Sequence, residues 1–289
     1  MSAENQDTKK RSLWKNAWRR LKRNKRAMFG LYFFIFLVLV AIFAPLLAPD
    51  GYDLQDLDKA FLQPSLQHPF GTDNLGRDIL SRVMYGSRIS LQLGVISVAI
   101  AFVVGGAIGA IAGYYGGVAD NIIMRVMDII QSIPNILLAI VIATMLGPGM
   151  TNAMIAVGIA AIPGYARIIR GSILSVREME YIEAARAITA GDGRIILKHI
   201  IPNVLSPMLV QATMGIAGAI LTAAALSFIG LGAQPPQPEW GAMISAGRNY
   251  IRNYWWLVTF PGLAIMLTVV SFNLLGDGIR DALDPRMSR

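Results

Sequence analysis

A glycine-containing stretch, GTDNLGRD at residues 71–78, has the glycine spacing of a phosphate-binding loop. Such a loop needs a lysine and then a serine or threonine after its second glycine, to hold phosphate and Mg²⁺. Arg77 and Asp78 occupy those positions, and none of the seven lysines of the chain precedes a serine or threonine. We therefore predict no nucleotide site here, and interpret the stretch as a turn whose Asp or Asn caps a following helix.

Other residue types that carry out chemistry are sparse. The chain has no cysteine, which excludes a thiol nucleophile, a disulfide and a thiolate metal site. His68 and His199 fall on opposite sides of the membrane in the topology derived below, so they cannot share a metal ion, and His68 beside Pro69 is interpreted as a loop residue. No acid–His–Ser set is visible. The sequence predicts no catalytic residue, cofactor or metal site, and thus a conduit rather than an enzyme.

Two charges are predicted to lie within a membrane span. Arg125 and Asp128 are three residues apart, which places them on one helix face. A lone charge at the centre of a bilayer costs about 2.5–3.5 kcal/mol on an insertion scale. We therefore predict a structural ion pair between the two, in preference to a direct role in transport.

Small residues mark two apolar runs. Gly105, Gly109 and Gly113 recur at four-residue spacing, which favours close helix packing over pore lining. The run SPMLVQATMGIAGAILTAAALSFIG mixes small and mildly polar residues into apolar sequence, which suits a path that must not bind its cargo tightly. Helix packing is the alternative. The candidate path residues are Gln211, Thr213, Gly215, Gly218 and Thr222.

The segment EAARAITAGDGRIILKHIIPN, residues 183–203, is too polar for lipid. Glu, Ala and Arg favour a first helix, Gly191 and Gly193 favour a turn, and RIILKHII predicts a second short helix that Pro202 ends. The alanines of the first helix have short side chains, so another protein can approach this surface closely. Such a hairpin suits either transmission of force from a partner or a plain amphipathic connection.

The composition indicates the class of protein to which these segments belong. The chain is 54% hydrophobic and 15% charged, whereas soluble domains carry about a quarter charged residues. Six apolar runs approach the ~20 residues that span a bilayer, so we predict an all-α, multi-pass membrane protein. The predicted spans are residues 28–48, 89–113, 122–146, 152–169, 207–231 and 255–275.

The distribution of basic residues predicts the orientation. Ten of the 26 Lys and Arg residues precede residue 27, beside the first apolar run. This positive-inside pattern places both termini, and residues 183–203, in the cytoplasm; an arm that binds nucleic acid is the weaker interpretation. On the outer side we predict an interfacial helix at residues 79–89 and an aromatic belt at Trp255 and Trp256.

Several segments together resemble one family. The pattern Glu183-Ala184-Ala185, followed by Ile200, Pro202 and Asn203, resembles the EAA loop of ABC importer permeases, although Thr189 replaces the usual glycine. The segments GTDNLGRDILSRVMYGSRISL, GGVADNIIMRVMDI, AQPPQPEWGAM and FNLLGDGIRDALDP resemble the dipeptide, oligopeptide and nickel branch, in its C-type subunit. The resemblance covers nearly the whole chain and is highly specific.

The resemblance implies a type I ABC importer permease that couples ATP hydrolysis to alternating access. Its implied partners are a homologous second permease, two ATPase subunits that carry ATP and Mg²⁺, an external substrate-binding protein and the lipid bilayer of the inner or plasma membrane. Cargo would be dipeptides or oligopeptides, with a nickel chelate as the alternative. A stand-alone secondary transporter, which would show inverted repeats or broken helices with charges near the midplane, is more remote. The implied coupling residues are Glu183, Ala184, Ala185, Arg186, Gly191, Arg194 and Pro202.

These inferences divide the chain into five segments. The predicted segments are a basic cytoplasmic tail at 1–27, a first transmembrane helix at 28–49, an extracytoplasmic loop with an interfacial helix at 50–87, a five-helix permease core at 88–277 with its EAA loop at 177–203, and a cytoplasmic tail at 278–289.

Overall fold

The computed structural model of the chain describes residues 17–48, 51–187 and 191–283. These residues are almost entirely helical and contain no β-strand, only one isolated bridge between Thr72 and Asp78. We number the helices α1 (Lys25–Leu47), α2 (Ile79–Tyr115), α3 (Gly117–Gln131), α4 (Asn135–Leu146), α5 (Met150–Arg177), α6 (Glu180–Ala187), α7 (Asp192–Ile195), α8 (Ile201–Phe228), α9 (Trp240–Gly247) and α10 (Trp256–Leu283). Single 3₁₀ turns lie at Leu57–Lys59 and Arg248–Tyr250.

Five helical runs are long and apolar enough to cross a membrane, which agrees with the all-α membrane class that the sequence predicts. They are α1, α2, α5, the run Asp192–Phe228 and α10. The third predicted span, residues 122–146, is not continuous. It consists of α3 and α4, which meet at an angle of 85°. Pro134 lies at the break and cannot donate a backbone hydrogen bond to a continuing helix.

The predicted interfacial helix at residues 79–89 is wrong as a separate element. Residues 79–115 form one helix, α2, whose 37 residues extend about 55 Å at 1.5 Å per residue. Asp78 caps its first turn, since its carboxylate accepts a 2.7 Å hydrogen bond from the Ser81 amide. The turn with a capping Asp is thus confirmed, whereas Arg82 is buried in the protein instead of facing an interface.

Helix α2 lies at the centre of the molecule and packs lengthwise against α5. Its glycines make this possible: a Cβ at Gly105 would lie 2.7 Å from the Ile162 carbonyl oxygen, and one at Gly109 would lie 2.3 Å from that of Ala166. The packing role predicted for these glycines is confirmed. A core of small and aliphatic residues, including Ala101, Ala156 and Ala160, fills the junction of α2, α4, α5 and α8.

The ends of this helix bundle differ. We call the end that carries α6 and α7 the loop end, and the other the far end. At the far end, residues 51–78 fold over the start of α2 and hold it against α10: the Trp256 indole nitrogen donates to the Thr72 carbonyl, and His68 Nδ1 lies 3.0 Å from Asp78 Oδ1. His68 is therefore a loop residue, as predicted, and it is buried. Trp256 is buried as well, so the predicted aromatic belt retains only the exposed Trp255.

Both predicted tails overlap helices. Residues 17–23 are helical, and α1 begins at Lys25, where the Asn24 side chain accepts from the Arg26 and Ala27 amides. Leu21 and Ala27 pack against Ala282 in the last turns of α10. The helix α10 continues to Leu283, beyond the predicted end of the core at residue 277, because an apolar neighbour is available there.

Candidate coupling loop and translocation path

The EAA motif lies on α6, at the loop end. The chain leaves α5 at Arg177 and turns back within three residues into α6, whose first turn carries Glu180 and Glu183. Carboxylates stabilise the N-terminal turn of a helix through its partial positive charge. The Glu183 side chain is exposed. Ala184, Ala185 and Arg186 belong to the same helix, while Thr189 lies outside the described residues.

The second half of the loop differs from the prediction. Gly191 precedes α7 with an ordinary φ of −62°, and Gly193 lies within α7. A π-helical turn, Ile196–Ile200, then leads directly into α8. Pro202 follows the π turn directly, in the first turn of α8, and does not end a helix there. The predicted second short helix is therefore the first part of the fifth membrane span.

Three isoleucines anchor the loop to the bundle. Ile182 of α6, Ile195 of α7 and Ile200 of the π turn are each 0% exposed. They join a cluster with Ile173 and Val176 of α5, Val204 of α8 and Tyr114 of α2. Arg194, between two of these positions, is exposed. The loop thus has one face fixed to three helices and another, with Glu183 and Arg194, that is open to a partner.

Polar contacts tie the loop to the end of α2. The Tyr114 hydroxyl donates a 2.6 Å hydrogen bond to Asp192 Oδ1 at the start of α7. Arg177, at the end of α5, donates to the carbonyl oxygens of Gly113 and Tyr114, at 3.1 and 3.3 Å. A cation stabilises the carbonyl end of a helix. Sequence reasoning missed these residues, because their partners are 63 to 78 positions away.

An aromatic contact also joins the two halves of the loop. The rings of Tyr181 on α6 and His199 on the π turn lie 6.4 Å apart. Burial raises the pKa of the Tyr181 hydroxyl above its ordinary value, so this side chain is neutral in the physiological range. This contact joins the two halves of the hairpin that the sequence predicts; residues 188–190 between them lie outside the described residues.

The predicted pair of Arg125 with Asp128 is wrong. Asp128 pairs instead with Arg167 of α5, and Asp120 pairs with Arg170, whose Nε lies 3.0 Å from Asp120 Oδ1. Both pairs join helices α3 and α5. The three-residue spacing put Arg125 and Asp128 on neighbouring positions of one helix, but arginines from another helix offer the carboxylates better geometry.

Four of the five candidate path residues form a stripe on α8. Gln211, Gly215, Gly218 and Thr222 recur at intervals of four, three and four residues, which places them on one face, whereas Thr213 lies on the other side of the helix. The Tyr165 hydroxyl lies 2.0 Å from the position of a Cβ on Gly215, and it donates to the Gln211 carbonyl at 3.3 Å. Gly215 is therefore a packing position. Gly218 is exposed and has no atom within 4 Å of its Cβ position.

A buried carboxyl group lies at the far end. Glu239, 1% exposed, caps α9 by accepting a 2.9 Å hydrogen bond from the Ala242 amide. Burial raises the pKa of this carboxyl above its ordinary value, although bonds from backbone amides and from Ser227 and Ser90 oppose the shift. Trp240, next to it, donates to the Val83 carbonyl of α2 at 3.0 Å. The sequence signal, an acidic residue before an apolar helix, was present but was not interpreted as a cap.

The far end also has an open cavity of about 450 Å³, lined by Gly149–Asn152 and Gln234–Gln237. Its lining is neutral: amides, a threonine, a methionine, glycine and prolines. Across the described ranges, no group of three or more His, Asp or Glu side chains is placed to hold a metal ion.

The sequence matches two known families. The family described as binding-protein-dependent transport system inner membrane component matches residues 105–289. The chain belongs to this family. A second family, the N-terminal transmembrane domain of oligopeptide transport permease C, matches residues 12–65 of the permease. The permease is thus a C-type transport subunit of an ABC importer and a multi-pass membrane protein, and its family is one of transport components, not of enzymes.

Relatives match the permease along most of its length. It is 50% identical to the dipeptide transport system permease protein DppC of Alkalihalophilus pseudofirmus, over 96% of this chain and 91% of that protein. It is 50% identical to the probable D,D-dipeptide transport system permease protein DdpC of Escherichia coli K12, over 87% and 85%. It is 45% identical to the glutathione transport system permease protein GsiD of Pectobacterium atrosepticum, over 97% and 94%.

Solved structures confirm the fold. An inward-facing structure of the MetNI methionine ABC transporter matches with a TM-score of 0.58 and 20% identity, over 71% of this chain and 97% of that one. A second crystal form of MetNI gives a TM-score of 0.59 and 21% identity. The type I permease fold expected from the sequence is therefore present.

Proposed function

We propose that this permease forms half of the membrane path of an ATP-driven importer of dipeptides or oligopeptides. The names of the related permeases support the cargo class, since they include dipeptide, D,D-dipeptide and glutathione systems. The nickel chelate considered above has no such support. The other half of the path comes from a homologous permease, and an external binding protein delivers the peptide.

The observation that carries this proposal is the loop at the end of α5. One face is held by fully buried isoleucines, while Glu183 and Arg194 remain exposed. A rigidly seated loop with charged side chains directed away from its own bundle suits contact with an ATPase subunit. Two such subunits bind ATP and Mg²⁺, and Glu183, Ala184, Ala185, Arg186, Gly191, Arg194 and Pro202 form or shape the contact.

The orientation belongs to the same proposal. If ATPases bind the loop, the loop end and both termini lie in the cytoplasm, and residues 51–78 lie outside. The tails and loops among the five predicted segments then lie on the sides of the membrane that the sequence predicts for them. The open stretch of α8 at Gly218 and Thr222 faces the path or the second permease, and the bent α3–α4 pair forms one span.

A charge reversal tests the coupling role. Glu183→Lys is expected to abolish peptide uptake in cells, because it places a cation at a position where the ATPase surface would contact an anion. The matched control is Asp58→Lys, an equal reversal at an exposed site at the far end. Assembly is followed by purifying the tagged permease with its partners in mild detergent. Normal uptake by Glu183→Lys in an intact complex would refute the coupling assignment.

Orientation and cargo have direct tests. Because the chain contains no cysteine, Asp58→Cys and Glu178→Cys create single labelling sites at opposite ends. We expect a membrane-impermeant maleimide to label Asp58→Cys in intact cells and Glu178→Cys only after permeabilisation; the reverse pattern would invert the topology. The binding protein that co-purifies is then titrated with dipeptides, longer peptides and nickel chelates. Tight binding of nickel alone would overturn the peptide assignment.

A further inference from the structure

The helices around the coupling loop differ in how they are attached to it. Helix α5 leads into the loop and the run Asp192–Phe228 leads out of it, so both follow any movement of the loop through the backbone. Helix α2 has no covalent connection there. Its contacts with the loop region include Tyr114, which is 5% exposed and packs among the loop isoleucines, with Ala110 packed against the same cluster.

The geometry of the Tyr114 contact is that of a strong hydrogen bond. The separation of 2.6 Å between its hydroxyl and Asp192 Oδ1 lies in the range of about 2.5–2.7 Å for a hydroxyl donating to a carboxylate. Arg177 fixes the same turn from the other side by donating to the Gly113 carbonyl. Gly116, with a φ of +67°, ends α2 there, and a Cβ on it would lie 2.7 Å from Arg177 Nη1.

The opposite end of α2 is joined to the far-end helix α9. Trp240, which is 0% exposed, donates from its indole nitrogen to the Val83 carbonyl. Gly86 lies against the Trp240 ring, because a Cβ there would be 2.8 Å from it. One continuous helix of 37 residues thus contacts the loop at one end and α9 at the other.

We propose that the Tyr114–Asp192 hydrogen bond is a latch that makes α2 move with the coupling loop. Tyr114 and Asp192 are positioning residues in this scheme, since neither touches cargo. With the latch intact, displacement of the loop shifts α2 and, through Trp240, the far end of the path. Without it, the end of α2 is held to the loop region by the Arg177 bonds and by its packing on α5, so α2 follows the loop less completely and ATP is hydrolysed with less transport. This inference rests on the proposed coupling function of the loop.

The test measures peptide transported per ATP hydrolysed, using the whole complex reconstituted with its binding protein in liposomes. Tyr114→Phe removes only the donor and is expected to lower this ratio roughly threefold to tenfold, the effect of one lost hydrogen bond of ordinary net strength, since Asp192 is exposed to water. Asp192→Ala is expected to lower it equally. Asp192→Asn, which keeps an acceptor oxygen, is expected to retain most of the ratio. Tyr115→Phe is the matched control, because Tyr115 is the exposed neighbour on the same helix.

A double variant separates a latch from general weakening. If the two residues act through one bond, Tyr114→Phe with Asp192→Ala is no worse than either single change. An unchanged ratio in Tyr114→Phe, or effects that simply add in the double variant, would overturn the latch. Failure of the coupling function itself is recognised differently, by normal uptake in Glu183→Lys, so the two proposals fail separately.

Discussion

The carbonyl oxygen of Ala166 occupies the space beside Gly109: a Cβ added to Gly109 would lie 2.3 Å from it. This contact between α2 and α5 involves backbone on both sides, so neither helix can yield by turning a side chain. Gly164, on α5, has no atom within 4 Å of its Cβ position. Gly109 and Gly164 are therefore matched sites for an alanine substitution, one crowded by backbone and the other open.

The first prediction concerns these glycines. Gly109→Ala is expected to destabilise the permease by about 1–3 kcal/mol, the usual cost of overpacking. Gly164→Ala is expected to leave stability unchanged or to raise it by up to about 1 kcal/mol, because alanine is the better helix former. Thermal unfolding of the purified proteins in detergent measures both. Equal midpoints would show that α2 and α5 are not held this closely.

The second prediction concerns the charges on α3. A double-mutant cycle between Asp128→Ala and Arg167→Ala is expected to show a coupling of about 0.2–1 kcal/mol, the range for pairs that are half exposed. The pair has this exposure, 51% and 52%. The same cycle between Asp128→Ala and Arg125→Ala is expected to show none. Coupling to Arg125 in place of Arg167 would restore the pairing predicted from sequence.

The third prediction follows from the buried carboxyl of Glu239. Its native pKa lies above the ordinary value because of burial. At a pH between the ordinary and the raised pKa, the native carboxyl therefore keeps a proton that the same group has lost in the unfolded chain. Stability therefore falls as the pH rises from the ordinary carboxyl pKa through the raised native pKa. Glu239→Gln, which keeps an oxygen to accept from the Ala242 amide, is expected to remove this decline.

Thermal midpoints measured from pH 4 to pH 8 check the Glu239 prediction. The wild-type midpoint should decrease relative to that of Glu239→Gln as the pH increases. Asp58→Asn, at an exposed carboxyl of the same end, is the control and should follow the wild type. Parallel curves for wild type and Glu239→Gln would contradict the raised pKa.

The fourth prediction concerns the seating of the loop. Ile195→Ala removes a fully buried side chain and is expected to destabilise the local packing by about 2–5 kcal/mol. Proteolytic cleavage within residues 178–203 of the purified complex should therefore become faster. Met179→Ala, at a 45% exposed position of the same segment, should leave the rate near that of the wild type. Equal cleavage of both variants would mean that the cluster does not hold the loop.

The sequence by itself determined the class, the family and the number of apolar runs. These depend on composition, on run length and on local patterns such as Glu183-Ala184-Ala185, all of which are visible within about 20 residues of chain. The packing role of Gly109 was also predictable, because small residues at four-residue spacing on one helix face favour close helix contact.

Only the tertiary structure decided which residues meet. Asp128 pairs with Arg167 and not Arg125, Tyr114 binds Asp192, and Trp256 is buried while Trp255 is exposed. It also decided that helix continues through Pro202 and bends at Pro134, although both residues are prolines. Each outcome depends on a partner residue or a helix position that the local sequence does not specify. When the helices pack, the energies of contacts between distant segments outweigh the conformational preferences of the local sequence.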